Sequence, residues 1–182
     1  YSSAIIILAL YLFFNSNLIF GIPFVVAVLL MLFFLSIDLV GKGRYLLFEF
    51  IPPIAITAVA MSILLMDNSF SYNIFFFGIL LLSRSIPTIF YINAKVKELK
   101  GKNYSPSLSY FAEGVFSILI IYLATNDLVP SLCIGGSLLL LFRTVVGFSK
   151  FNFTKRVVQI GIAEFIYGGL FVLINAIAFN FY

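Results

Sequence analysis

The chain has 182 residues, 63% of them hydrophobic and 10% charged, with a net charge of +4 and a mean hydropathy of +1.16. Soluble domains carry about 25% charged residues, so this composition excludes an ordinary soluble fold and indicates an integral membrane protein. With no His and a single Cys, Cys133, it also excludes an internal disulfide and the usual transition-metal sites.

Spanning about 30 Å of hydrocarbon takes roughly 20 apolar residues per helix. By that measure about seven apolar segments separate along the chain, all read as helix. The first, residues 3–14, is short and continuous with the second, unlike a signal peptide with a small-residue cleavage site. Because the sequence opens at Tyr1 inside an apolar run, a further amino-terminal piece is expected before it. Asn15-Ser16-Asn17 is a polar turn, and residues 18–40 form a full span with Gly21 and Pro23 near its start. The basic turn Gly41-Lys42-Gly43-Arg44 comes next. The third span, 45–65, carries Glu49 close to its beginning and Pro52-Pro53 just after it, where a bend is expected, and Asp67-Asn68-Ser69 ends it.

The fourth span, 74–93, contains Arg84 near mid-membrane, where a lone cation costs about 2.5 to 3.5 kcal/mol. Arg84, Thr88, Tyr91 and Lys95 recur at i, i+4, i+7 and i+11 and so share one face, which should look into the protein. Pro87 frees a backbone carbonyl one turn earlier, which membrane helices tolerate where neighbours satisfy it. The longest polar loop, 94–107, holds Lys95, Lys97, Glu98, Lys100 and Lys102. The last three spans are 108–124 with Glu113, 129–148 with Gly135-Gly136 early and Arg143 late, and 157–179 with Glu164.

Lys and Arg mark cytoplasmic loops. If the chain starts inside, the inner loops contain Lys42, Arg44, Lys95, Lys97, Lys100, Lys102, Lys150, Lys155 and Arg156, while the outer turns hold Asp67 and Asp127. This alternation predicts a single transmembrane domain over 1–182 that starts inside and ends outside. The positive charge follows topology, so no nucleic-acid partner is expected. No cofactor is called for either.

Asp38, Glu49, Arg84, Glu113, Arg143 and Glu164 remain within spans. The acids lie within about two turns of the inner helix ends, which predicts a polar cluster in the cytoplasmic half built from Arg84, Thr88, Tyr91, Glu113, Arg143, Glu164 and Glu49. Such a cluster is either a binding site or proton path, or a set of ties between helices whose shallower members reach the interface. Glu113 shares a stripe with Ser109, Tyr110 and Ser117. Glu164 shares one with Gly161, Gly168 and Asn175, and Arg143 aligns with Gly136 and Gly147.

No phosphate-binding loop, GxGxxG or His-based triad occurs. A UbiA-type prenyltransferase needs two Asp-rich motifs to hold magnesium on a diphosphate, and Asp38, Asp67 and Asp127 are too far apart to form one. Three stretches, however, resemble the YwiC-like family of bacterial membrane proteins. They are Arg84-Ser85-Ile86-Pro87-Thr88 with Phe90-Tyr91-Ile92-Asn93-Ala94-Lys95; Gly41-Lys42-Gly43-Arg44 followed by a span with Glu49; and Lys155-Arg156-Val157 through Gly161, Glu164 and Gly168. The resemblance covers roughly residue 35 to the end. The family's amino-terminal Pro-Lys-Gln-His-Gly-Ala-Trp signature is absent and would precede Tyr1. The resemblance implies an architecture and not a reaction, with a respiratory association suggested by the gene neighbourhoods of some members.

The resulting expectation is a non-catalytic, auxiliary subunit of a larger, energy-converting or transport complex, with the bilayer and other membrane subunits as partners and a lipid or quinone as ligand. The alternative is an intramembrane enzyme or carrier for an isoprenoid or lipid-like substrate. A proton-coupled transporter is a third reading, for which no inverted repeat is visible.

Overall fold

The computed structural model describes residues 18–41, 45–46, 48–67, 72–149 and 156–181, and all regular structure among them is helical. The expected first segment (3–14), the turn at 15–17, the basic residues Lys42, Arg44, Lys150 and Lys155, and Asn68-Ser69 lie outside the described residues. Six helices are described: α1 (Leu18–Leu39), α2 (Ile51–Asp67), α3 (Tyr72–Leu99), α4 (Ser107–Thr125), α5 (Cys133–Phe148) and α6 (Val157–Asn180). Five of them are long and apolar enough to cross a membrane, which makes this a multi-pass membrane protein; the shorter α5 has 16 residues. The helices fall into two compact units, Tyr1–Gly78 and Ile79–Tyr182.

In the first unit α1 packs along α2, with Ala27 and Ala55 fully buried. Small side chains let membrane helices approach closely, since lipid supplies no hydrophobic drive between them. Most of α1 is nevertheless outward-facing, apolar on all sides as expected where the solvent is lipid. Glu49 lies at the very start of the apolar span Phe48–Leu65, as expected. It sits half-buried in a 3₁₀ turn, Phe48–Phe50, that precedes α2. Pro52 and Pro53 fall in the first turn of α2, where backbone N–H groups have no helical partner, so they begin the helix there. Leu65, Ile74 and Met61 form a small core, and a Cβ at Gly78 would lie 2.7 Å from the Met61 sulfur.

The second unit contains the rest of α3 with α4, α5 and α6, and α5 packs against both α4 and α6. α3 runs 28 residues, past the expected end at Asn93. It remains helical through buried Pro87. Hydroxyls around the proline bond back to carbonyls: Ser83 to Leu80 at 2.7 Å, Ser85 to Leu81 at 3.0 Å and Thr88 to Arg84 at 2.7 Å. The helix stops at Gly101, with φ of 62°, where Lys102 N–H bonds Lys97 O and Gly101 N–H bonds Glu98 O, each at 3.0 Å. That pairing is the Schellman ending, which glycine permits at no steric cost. α5 starts at Cys133 and not near Val129, because Pro130 interrupts the preceding turns. Ser137 on α5 donates to Ser117 on α4 at 2.9 Å, and the bare backbone of Gly136 receives Asn175 and Phe171 of α6.

Candidate functional site: a buried arginine shared by four helices

The centre of the second unit is Arg143 on α5, only 2% exposed. A cation so buried is almost never found without partners, and here three other helices provide them. Its Nη1 donates to Glu164 Oε2 on α6 at 2.7 Å and to Thr88 Oγ1 on α3 at 2.9 Å. Its Nη2 donates to Glu113 Oε2 on α4 at 3.2 Å. The guanidinium carbon lies 4.7 Å from the centre of the Tyr91 ring, a cation–π contact. Thr144 leans toward the same Glu113 oxygen at 3.5 Å, the outer limit of a hydrogen bond.

These residues meet because their helices bring them to one level. Arg143 lies about 8 Å from the end of α5, while Glu113 and Glu164 lie about 9 and 10 Å from the starts of α4 and α6, counting 1.5 Å per residue. α3 contributes a file along one face. Thr88 accepts from Arg143; Tyr91, a turn nearer the basic end, packs so closely on Gly147 that a Cβ there would collide with its hydroxyl. Half-buried Arg84, a turn deeper than Thr88, lies against Gly168 of α6 in the same way, with Glu164 and Arg143 within electrostatic reach.

Lys95 ends this file. It falls in the stretch expected as a basic loop, yet it is helical and 0% exposed. Its Nζ donates to the Gly147 carbonyl at 2.6 Å and to Glu98 Oε2 at 2.5 Å, and sits 5.3 Å from the Phe148 ring centre. Gly147 is in the last turn of α5, where carbonyls have no helical donor, so Lys95 caps a neighbouring helix. Phe148 in turn touches the rings of Tyr91, Tyr104 and Tyr110. Tyr104, exposed in the loop, donates to Glu98 Oε1 at 3.3 Å, and that carboxylate raises its phenol above the ordinary range. The arrangement brings Lys95, Glu98, Gly147 and Phe148 into the site. The one sequence signal for Lys95 was its place on the Arg84 face.

Of the residues singled out in the sequence, Arg84, Thr88, Tyr91, Glu113, Arg143 and Glu164 all belong to the second unit and surround this centre. Glu49 belongs to the first unit and takes no part in these ion pairs; Asp38, also in the first unit, is exposed on α1. Gly161 and Gly169, on the last helix, face open space and close no packing contact.

Chemically, the site is closed in charge, with Arg84 and Arg143 set against Glu113 and Glu164. Among the described residues, four buried side-chain polar atoms have no hydrogen-bond partner: Arg143 Nε, Glu164 Oε1, Ser109 Oγ and Asn175 Oδ1. No trio of His, Cys, Asp or Glu able to hold a metal gathers among the described residues. No protein-family pattern, curated protein or solved structure matches the chain.

Proposed function

We propose that the chain is a non-catalytic subunit of a larger energy-converting complex in a bacterial cytoplasmic membrane, where its second unit acts as a rigid wedge of tied helices that holds a lipid-like molecule. The observation that carries this reading is the engagement of Arg143. Both terminal nitrogens bond to side chains of three other helices, and its charge is consumed within the protein. Side chains so committed favour a fixed scaffold over a centre that must exchange protons or bind a diphosphate. Buried ion pairs specify which helices meet more than they add stability.

In this reading the chain crosses the membrane about seven times, with its first segment starting inside and its last ending outside. The exposed Lys97 in the last turn of α3 and Lys100 and Lys102 just after it, opposed to Asp127 in the next turn, support that orientation. We also read the chain as YwiC-like. Two of the three motif stretches that suggest this, Arg84 to Lys95 and Lys155 to Gly168, contribute Arg84, Thr88, Tyr91, Lys95, Glu164 and Gly168 to one site.

The test is the native mass and subunit content of the protein extracted from its own membrane in mild detergent. Migration in a defined assembly is the expected result; migration as a free chain contradicts the subunit reading. The second reading, an intramembrane carrier for a lipid-like substrate, is favoured by Arg84, whose donors the cluster leaves unused. A free chain that retains a bound lipid would establish it.

A further inference from the structure

Arg84 is the cation of the cluster for which no described residue supplies a hydrogen-bond acceptor. It is half-buried inside a spanning helix, lies against the bare backbone of Gly168, and donates to no described side chain or carbonyl. A guanidinium carries five N–H donors, and in hydrocarbon there is no water to meet them. One turn away on the same face of α6, Glu164 has the complementary defect. Its Oε2 is taken by Arg143, while its Oε1 is buried and unpartnered. A set of unused donors and an unused acceptor therefore lie within electrostatic reach of each other, and the outer face of α6 presents Phe165, Ile166 and Val172.

Charge decides which head group fits. The two arginines and two glutamates already cancel, so an anionic head would leave a net negative charge in a medium of low dielectric, where an unbalanced charge costs several kcal/mol. A head group with carbonyls alone would satisfy Arg84 and leave Glu164 Oε1 empty. A hydroxyl does both, its oxygen accepting from Arg84 and its proton going to Glu164 Oε1. We propose that Arg84 and Glu164 form a binding site for a neutral lipophile with a hydroxyl head, of the diacylglycerol or long-chain phenol class. The proposal rests on the reading of the second unit as a lipid-holding scaffold and names the class of molecule held.

The test is native mass spectrometry of the purified full chain with equal amounts of dioleoylglycerol, trioleoylglycerol and dioleoyl phosphatidic acid, which differ in the head group. The expected result is a one-to-one diacylglycerol adduct favoured about tenfold over the other two, the scale of one well-placed hydrogen bond. Arg84→Lys keeps the charge but loses the fork, and should reduce that adduct about tenfold. Ile118→Leu, on the outer face of α4, should leave it unchanged. Equal binding of triacylglycerol, preference for phosphatidic acid, an unaffected Arg84→Lys variant, or no adduct because Arg84 turns onto Glu164 itself would each overturn the site. If Arg84→Lys fails to fold, the three-lipid competition on the unaltered chain decides alone. Co-migration in an assembly without diacylglycerol binding defeats this inference and spares the subunit reading; a free chain that binds diacylglycerol does the reverse.

Discussion

The ammonium of Lys95 lies 2.6 Å from the carbonyl oxygen of Gly147, 52 positions away in sequence, and has no exposed surface. One contact thus ties α3 to the capped end of α5, and it lengthens the polar file by a turn beyond Tyr91.

Removing the ammonium should therefore loosen the second unit. Lys95→Met leaves the Gly147 carbonyl without a donor while Glu98 stays partly solvated, its side chain 28% exposed. The expected loss is about 1–3 kcal/mol, read as a lowered midpoint of unfolding in detergent. Lys97→Met, on the exposed side of the same turn, should change it by less than about 0.5 kcal/mol. Equal effects of the two substitutions would show that the buried contact contributes nothing.

The glycines make a sharper comparison. A Cβ at Gly147 or Gly168 collides with Tyr91 or Arg84, whereas one at Gly161 or Gly169 meets nothing within 4 Å. Gly147→Ala and Gly168→Ala should destabilise the protein by about 1–3 kcal/mol through overpacking. Gly161→Ala and Gly169→Ala should be neutral or slightly stabilising, since alanine favours helix by up to about 1 kcal/mol over glycine. Thermal unfolding of the four variants in one detergent tests the contrast, and a destabilised Gly161→Ala would contradict it.

Cys133 offers a probe that needs no engineering. It is the lone cysteine and is fully buried at the start of α5. A maleimide should leave it unmodified in the folded protein and react after denaturation. In a Cys133→Ala background, a cysteine replacing Lys100 should react with an impermeant reagent only once the cytoplasmic side is opened, and one replacing Asn126 should react in intact cells. The opposite pattern would reverse the topology.

Much of this architecture was legible in the apolar runs, because the length of a spanning helix is set by the bilayer and charges collect where the chain leaves it. The helix ends were less so. α3 continues through Lys95, whose ammonium donates a hydrogen bond to a carbonyl of another helix, and a contact across 52 residues leaves no trace in local composition. α5 begins late because Pro130 sits in the turn before it, a signal present in the sequence but outweighed by the apolar residues around it. Within the site, helical spacing put Arg84, Thr88, Tyr91 and Lys95 on one face. It could not say that Arg143 would take both Glu113 and Glu164, or that Glu49 would fall in another unit, since periodicity gives a helix its faces and not its neighbours.

The central claim is that Arg143 ties four helices in a closed, neutral cluster, and a double-mutant cycle on Arg143 and Glu164 tests it most directly. Arg143→Met alone strands two carboxylates in the interior and should cost about 3–5 kcal/mol, with a smaller loss for Glu164→Gln. The double variant should be less destabilised than the two single losses added together, by a coupling of about 1 kcal/mol or more, on the order expected for groups in contact. Additive losses would mean that the 2.7 Å bond between them ties nothing, and would contradict the account.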